Sequence, residues 1–144
     1  MHLIVEARDT RTLSSGLRGF GIRVARNVNR LLFRKGKFWD ERWHGRALTT
    51  PRAVRHALAY VLGNFRKHEP TDRAAVDPFS PAPHFEHFAE LAGAPIRCAP
   101  ELVPRVLARG GDSPAAVPAE TWLLRTGWLR HGRLSLFEKP RSAR

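Results

Sequence analysis

Proline divides this chain. Ten of its eleven prolines lie beyond His68, while the first 68 residues carry long stretches with the spacing of amphipathic helices. A segment dense in proline can neither continue a helix nor supply the interior of a sheet. The regular structure is therefore expected before residue 69.

"HLIVEA", residues 2 to 7, has the apolar run of a buried strand that begins abruptly after Met1. A helix is expected next, with Asp9, Thr10 or Thr12 as cap candidates and an end near Phe33. Leu13, Leu17, Phe20, Val24, Val28 and Leu31 step by three or four residues and form one stripe, whereas Arg18, Arg23, Arg26, Arg30 and Arg34 fall largely off it. Gly16, Gly19 and Gly21 weaken the helix but permit close packing. "GLRGFG" has neither the order nor the strand context of a phosphate-binding loop.

A turn is expected at Lys35-Gly36-Lys37, followed by a strand or hairpin in which Trp39 and Trp43 pack on a sheet. Stacking on unpaired bases is the alternative role for those rings. Thr50-Pro51 then starts a second helix, a cap residue followed by proline at the first helical position. At about 100° per residue, Val54, Leu58, Val61 and Phe65 share one face, and His56, Tyr60, Gly63, Asn64 and Lys67 gather on the other. Residues 69–117 read as a proline-rich linker or arm, and 118–144 as a short helical C-terminal segment.

Charge follows the same division. Residues 1–68 hold 15 Lys and Arg against 4 Asp and Glu, and residues 69–144 hold 10 against 9. A basic half-chain makes a polyanion, most often nucleic acid, the leading partner. Arginine outnumbers lysine 21 to 4, which suits bidentate phosphate contacts and equally follows from a GC-rich genome. Arg23, Arg26, Arg30, Arg46, Arg52, Arg55 and Lys67 are the candidates for contact with DNA. Cys98 is the single cysteine, so neither an internal disulfide nor a thiolate zinc cluster can form. No apolar run approaches the length of a membrane span, and a cytoplasmic location is expected.

Tyr60, the one tyrosine, lies on a polar helix face among cationic residues. A half-exposed phenol in water is the commoner reason for such a placement, and a covalent nucleophile toward phosphorus is the chemical one. With its ordinary pKa near 10 a phenol needs assistance at neutral pH, which a divalent cation on the scissile phosphate would supply. His84 and His87 in "HFEH" are three apart and lack a third ligand.

The order "HLIVEA", "LSSGLRGFGIRVARNVNRLL", "GKFWDERWHGRAL" and "TPRAVRHALAYVLGNFRKH" resembles the single-strand DNA transposases of the HUH superfamily, and most of all the REP-associated tyrosine transposases, over residues 1–68. The tail "TWLLRTGWLRHGRLS" is similar to the C-terminal segment of proteobacterial members. The resemblance implies an α+β domain with an RNA-recognition-like fold, an antiparallel sheet covered by helices on one face, at residues 1–68. It implies that Tyr60 is the nucleophile, that His2 is the second histidine of the family's metal motif, and that Asn64 completes the site around Mg2+ or Mn2+. Cleavage would leave a 5′-phosphotyrosine and a free 3′-hydroxyl on hairpin-forming single-stranded DNA, in a nucleoid-associated protein acting as a homodimer. Met1 stands where the motif's middle residue belongs, and the family's first strand and helix are absent, so the resemblance implies either a start placed at an internal methionine or a decayed copy truncated at its N-terminus. The alternative is a non-catalytic, basic nucleic-acid-binding protein in which Tyr60 and the tryptophans stack bases.

Overall fold

The computed structural model describes residues 2–41, 43–64, 77, 80–91 and 116–138. Two compact units emerge, residues 5–47 on one side and residues 1–4 with 48–144 on the other. Lys67, Phe65, Cys98 and most of the proline-rich stretch lie outside the described residues.

The antiparallel sheet expected from the sequence does not form. Among the described residues the structure is helical and contains no strand, only one isolated parallel bridge between Phe88 and Leu134. Residues 2–7 form no regular element and pair with no strand among the described residues, and Leu3 and Val5 are half exposed. A strand is defined by the ladder it makes with a partner, and residues 37–41 and 43–47, where a strand or hairpin is expected, form no regular element. An apolar run alone therefore predicted an element for which the described residues hold no second edge.

In the unit of residues 5–47, α1 spans Thr10–Leu31. Asp9 caps it, its carboxylate accepting from the Thr12 amide at 2.7 Å, which holds the Asp9 carboxyl below its ordinary pKa. The apolar stripe is real but shallow, since no α1 residue is buried and Phe20 stays 39% exposed. Trp39 does not pack on a sheet; its indole N–H donates to the Gly21 carbonyl at 3.0 Å, alongside α1. A Cβ at position 21 would lie 3.6 Å from the indole nitrogen, an ordinary contact, so the hydrogen bond does not by itself demand glycine there. Trp43 folds over Gly45, where an added Cβ would meet the ring at 2.8 Å.

The end of α1 is a Schellman turn with an unusual occupant. The Phe33 amide donates to the Arg30 carbonyl at 3.2 Å and the Arg34 amide to the Asn29 carbonyl at 2.9 Å. That geometry places Phe33 at φ 50°, the left-handed region in which glycine is usual. A Phe33→Gly substitution is therefore expected to stabilise the protein by about 1 kcal/mol, read as a higher urea midpoint at unchanged slope.

In the other unit, α2 spans Pro51–Gly63, with Thr50 Oγ1 accepting from the Ala53 amide at 3.1 Å and proline in the first turn. Val54 and Leu62 are its buried residues, and Leu58 and Ala59 pack against the same core. The C-terminal segment covers this face. The short helix α3, Trp122–Arg125, capped by Thr121, leads into a 3₁₀ turn at Gly127–His131. Trp128 is 1% exposed and satisfies its indole N–H on the Leu124 carbonyl at 3.1 Å, while Leu134 and Leu136 follow it into the core. Ala82, Pro83 and Phe88, from a region that reads as linker, fill the remainder, and Phe85 stacks on Trp128 at 5.8 Å.

Arg55 fastens the segment to α2. Its guanidinium grips both Glu138 oxygens at 2.7 and 2.8 Å and donates to the Gly132 and Arg133 carbonyls at 3.2 and 3.1 Å. The Arg55 hydrogen bond holds the Glu138 carboxyl below its ordinary pKa of 4.5. A carboxyl depressed on folding adds stability above its unfolded pKa and loses it as pH falls through the folded one. Glu138→Gln is expected to lower stability at neutral pH by about 1 kcal/mol, a value kept small by partial solvent screening. Chemical denaturation below pH 4.5 should show the difference from wild type shrinking with acid.

Candidate active site

α2 sets the orientation of Tyr60. The helix begins at a fixed cap and carries Tyr60 three turns on, half-buried, on the side away from Val54. Residues 2–4 belong to the same unit, and they bring His2 to it. The Tyr60 hydroxyl lies 3.2 Å from His2 Nε2, and the two rings meet edge to face at 83° with centroids 4.7 Å apart. When the imidazole carries its proton on Nδ1, the phenol donates to Nε2. Two residues 58 apart in sequence thus form a direct phenol–imidazole pair.

Asn64 stands one turn beyond Tyr60 as the C-cap of α2, hence on the same helical side. Its Oδ1 is buried and has no hydrogen-bond partner among the described residues. An orphaned amide oxygen is costly unless something polar reaches it, and a hard cation or a donor on a ligand would satisfy it. The sequence grouped Tyr60, Asn64 and His2, and the structure pairs Tyr60 with His2.

The donor set is thin for a metal held by protein alone. Among the described residues no group of three His, Cys, Asp or Glu gathers in one place, and His2 Nε2 already faces the phenol. With His2 Nε2 held by the phenol, Asn64 Oδ1 is the donor that fits a cation drawing its other ligands from substrate phosphate and water, as Mg2+ often does. In a spin-resonance titration Mn2+ is therefore expected to be taken up only when single-stranded DNA is also present. Uptake without DNA that survives Asn64→Ala would place the ion elsewhere.

The cationic candidates separate into two kinds. Arg23, Arg26 and Arg30 are exposed along one strip of α1, which bears five arginines and no acidic residue. Arg46 and Arg52 are exposed as well. Arg55 is different, with only 16% of its side chain exposed and its guanidinium committed to Glu138 and two carbonyls. Its role is to hold the C-terminal segment, and Lys67 lies outside the described residues. His84 closes a 3₁₀ turn and His87 lies edge-on to Trp128 at 5.7 Å, which makes the latter a packing residue.

Sequence reasoning missed Glu138 and Phe33. The Arg55–Glu138 pair spans 83 positions and leaves no local signal. A signal for Phe33 does exist, a bulky residue where the end of α1 calls for glycine. Comparison with protein-family models, curated proteins and solved structures finds no match for this chain. Among the described residues no helix is long and apolar enough to cross a membrane.

Proposed function

We propose that this chain cleaves and rejoins single-stranded DNA through Tyr60, by a 5′-phosphotyrosine intermediate, as the transposases it resembles do. The observation that carries the reading is the Tyr60 hydroxyl at 3.2 Å from His2 Nε2. A phenol is a weak nucleophile at neutral pH, and a hydrogen-bonded base is the arrangement that activates one.

In the proposed step the Tyr60 oxygen attacks the scissile phosphorus as its proton passes to His2 Nε2. The bond from phosphorus to the 3′-oxygen breaks, the 3′-oxygen takes a proton from water, and the 5′-phosphate stays on Tyr60. Rejoining reverses the sequence, with a 3′-hydroxyl attacking the phosphotyrosine and Tyr60 recovering its proton. A bound Mg2+ or Mn2+ would neutralise charge on the phosphate, with Asn64 Oδ1 as its protein-side donor while His2 serves as the base. The arginines of α1, together with Arg46 and Arg52, supply phosphate contacts, a term that is independent of sequence and weakened by salt.

A second reading, a nucleic-acid-binding protein without chemistry, is favoured by the five exposed arginines of α1, which need no reactive tyrosine. Incubation with hairpin-bearing single-stranded DNA and Mg2+ or Mn2+, followed by a denaturing gel, separates the two. The proposal expects a covalent band that disappears in Tyr60→Phe and falls at least tenfold in His2→Ala. DNA retention under native conditions with no covalent band would leave the binding reading.

A further inference from the structure

In the unit of residues 5–47, exposed apolar surface collects at the end of α1. Leu31, Leu32 and Phe33 are 75, 61 and 98% exposed. Phe33 holds the left-handed position of the Schellman turn, where its backbone gains nothing from a side chain and its ring touches almost nothing. Glycine would suit that fold better, so the ring is kept at the expense of stability, a pattern typical of functional positions.

The ring's surroundings are cationic. Arg30 precedes it, and Arg34, Lys35 and Lys37 follow within one tight turn whose Gly36 has φ 97°. Arg34 and Lys37 donate to the backbone carbonyls of Lys37 and Asp40 at 3.2 and 2.7 Å, contacts that leave their charge unneutralised. Among the described residues none of the four pairs with a carboxylate, and the nearby Glu41 lies against His44. The Asn29 side chain donates to the Gly36 carbonyl at 3.0 Å and ties the turn back to the helix. A rigid base therefore presents a single aromatic ring within a positive rim.

We infer that this tip is a contact for single-stranded nucleic acid, in which an unpaired base stacks on Phe33 while Arg30, Arg34, Lys35 and Lys37 hold the flanking phosphates. An aromatic ring set among arginines is the recurring platform for unpaired bases, because every base has a π-face and the backbone brings the negative charge. A lipid surface fits less well. Peripheral insertion uses the whole apolar face of a helix, and on that face Leu13, Leu17, Val24 and Val28 are half covered, so that only Phe20 at 39% joins the exposed tip from the rest of the stripe. The inference rests on the nucleic-acid partner of the proposed function and not on chemistry at Tyr60.

The test uses the full chain and its Phe33→Gly, Phe33→Ala and Phe33→Trp variants, with an oligothymidylate, a duplex of equal length, and vesicles of phosphatidylglycerol and phosphatidylcholine. Phe33→Gly and Phe33→Ala are expected to lose about tenfold or more in affinity for the single strand. Their affinity for duplex and the salt slope should not change, and Phe33→Trp should restore binding. Because Phe33→Gly is expected to fold more stably, unfolding cannot account for its loss. Equal single-strand affinity in wild type and Phe33→Gly would overturn the inference, as would a parallel loss on duplex. Vesicle binding that depends on Phe33, with single-strand affinity indifferent to it, would assign the tip to lipid and overturn it too. Failure of wild type to bind the single strand at all would remove the nucleic-acid reading itself, a result distinct from binding that ignores Phe33.

Discussion

The docking of the C-terminal segment on α2 is the contact on which the rest of that unit depends. α2 has one strongly apolar face, and thirteen residues of helix are marginal in water without something to cover it. Trp128, Leu134 and Leu136 provide the cover, and Phe88 and Ala82 close the remaining side. Arg55 fixes the register by reading Glu138 and two carbonyls at once. Tyr60 stands on the helix so fastened, which makes a distant carboxylate part of what holds the proposed nucleophile in place.

The two units divide the work by surface chemistry. Residues 5–47 bury little and display arginine, an apolar tip and two tryptophans that cover single glycines. The unit that carries Tyr60 builds its core from aromatic and aliphatic residues drawn from α2, residues 82–91 and the C-terminal segment. In the proposed function the arginines of residues 5–47 would meet a charged backbone and their apolar tip an unpaired base.

Local signals in the sequence were legible and distant ones were not. Thr50-Pro51 announces the start of α2, and Asp9 stood among three cap candidates for α1, because a cap is a contact within three residues. The polar face of α2 grouped Tyr60 with Asn64 for the same reason, since helical periodicity is local. The strand at residues 2–7 was misread, as a short apolar run cannot say whether a partner edge exists. Proline density hid the core role of Ala82, Pro83 and Phe88, because proline marks the absence of helix and strand but not the absence of burial. Arg55 looked like any other arginine, and only the fold reveals that a carboxylate 83 residues away claims it.

The central claim is that Tyr60 carries the DNA. Its most direct test is to digest the protein after reaction with single-stranded DNA and locate the nucleotide by mass spectrometry. The account predicts a nucleotide joined through its 5′-phosphate to Tyr60, in a peptide of α2 and nowhere else. A nucleotide on any other residue, or joined through its 3′-phosphate, would contradict it.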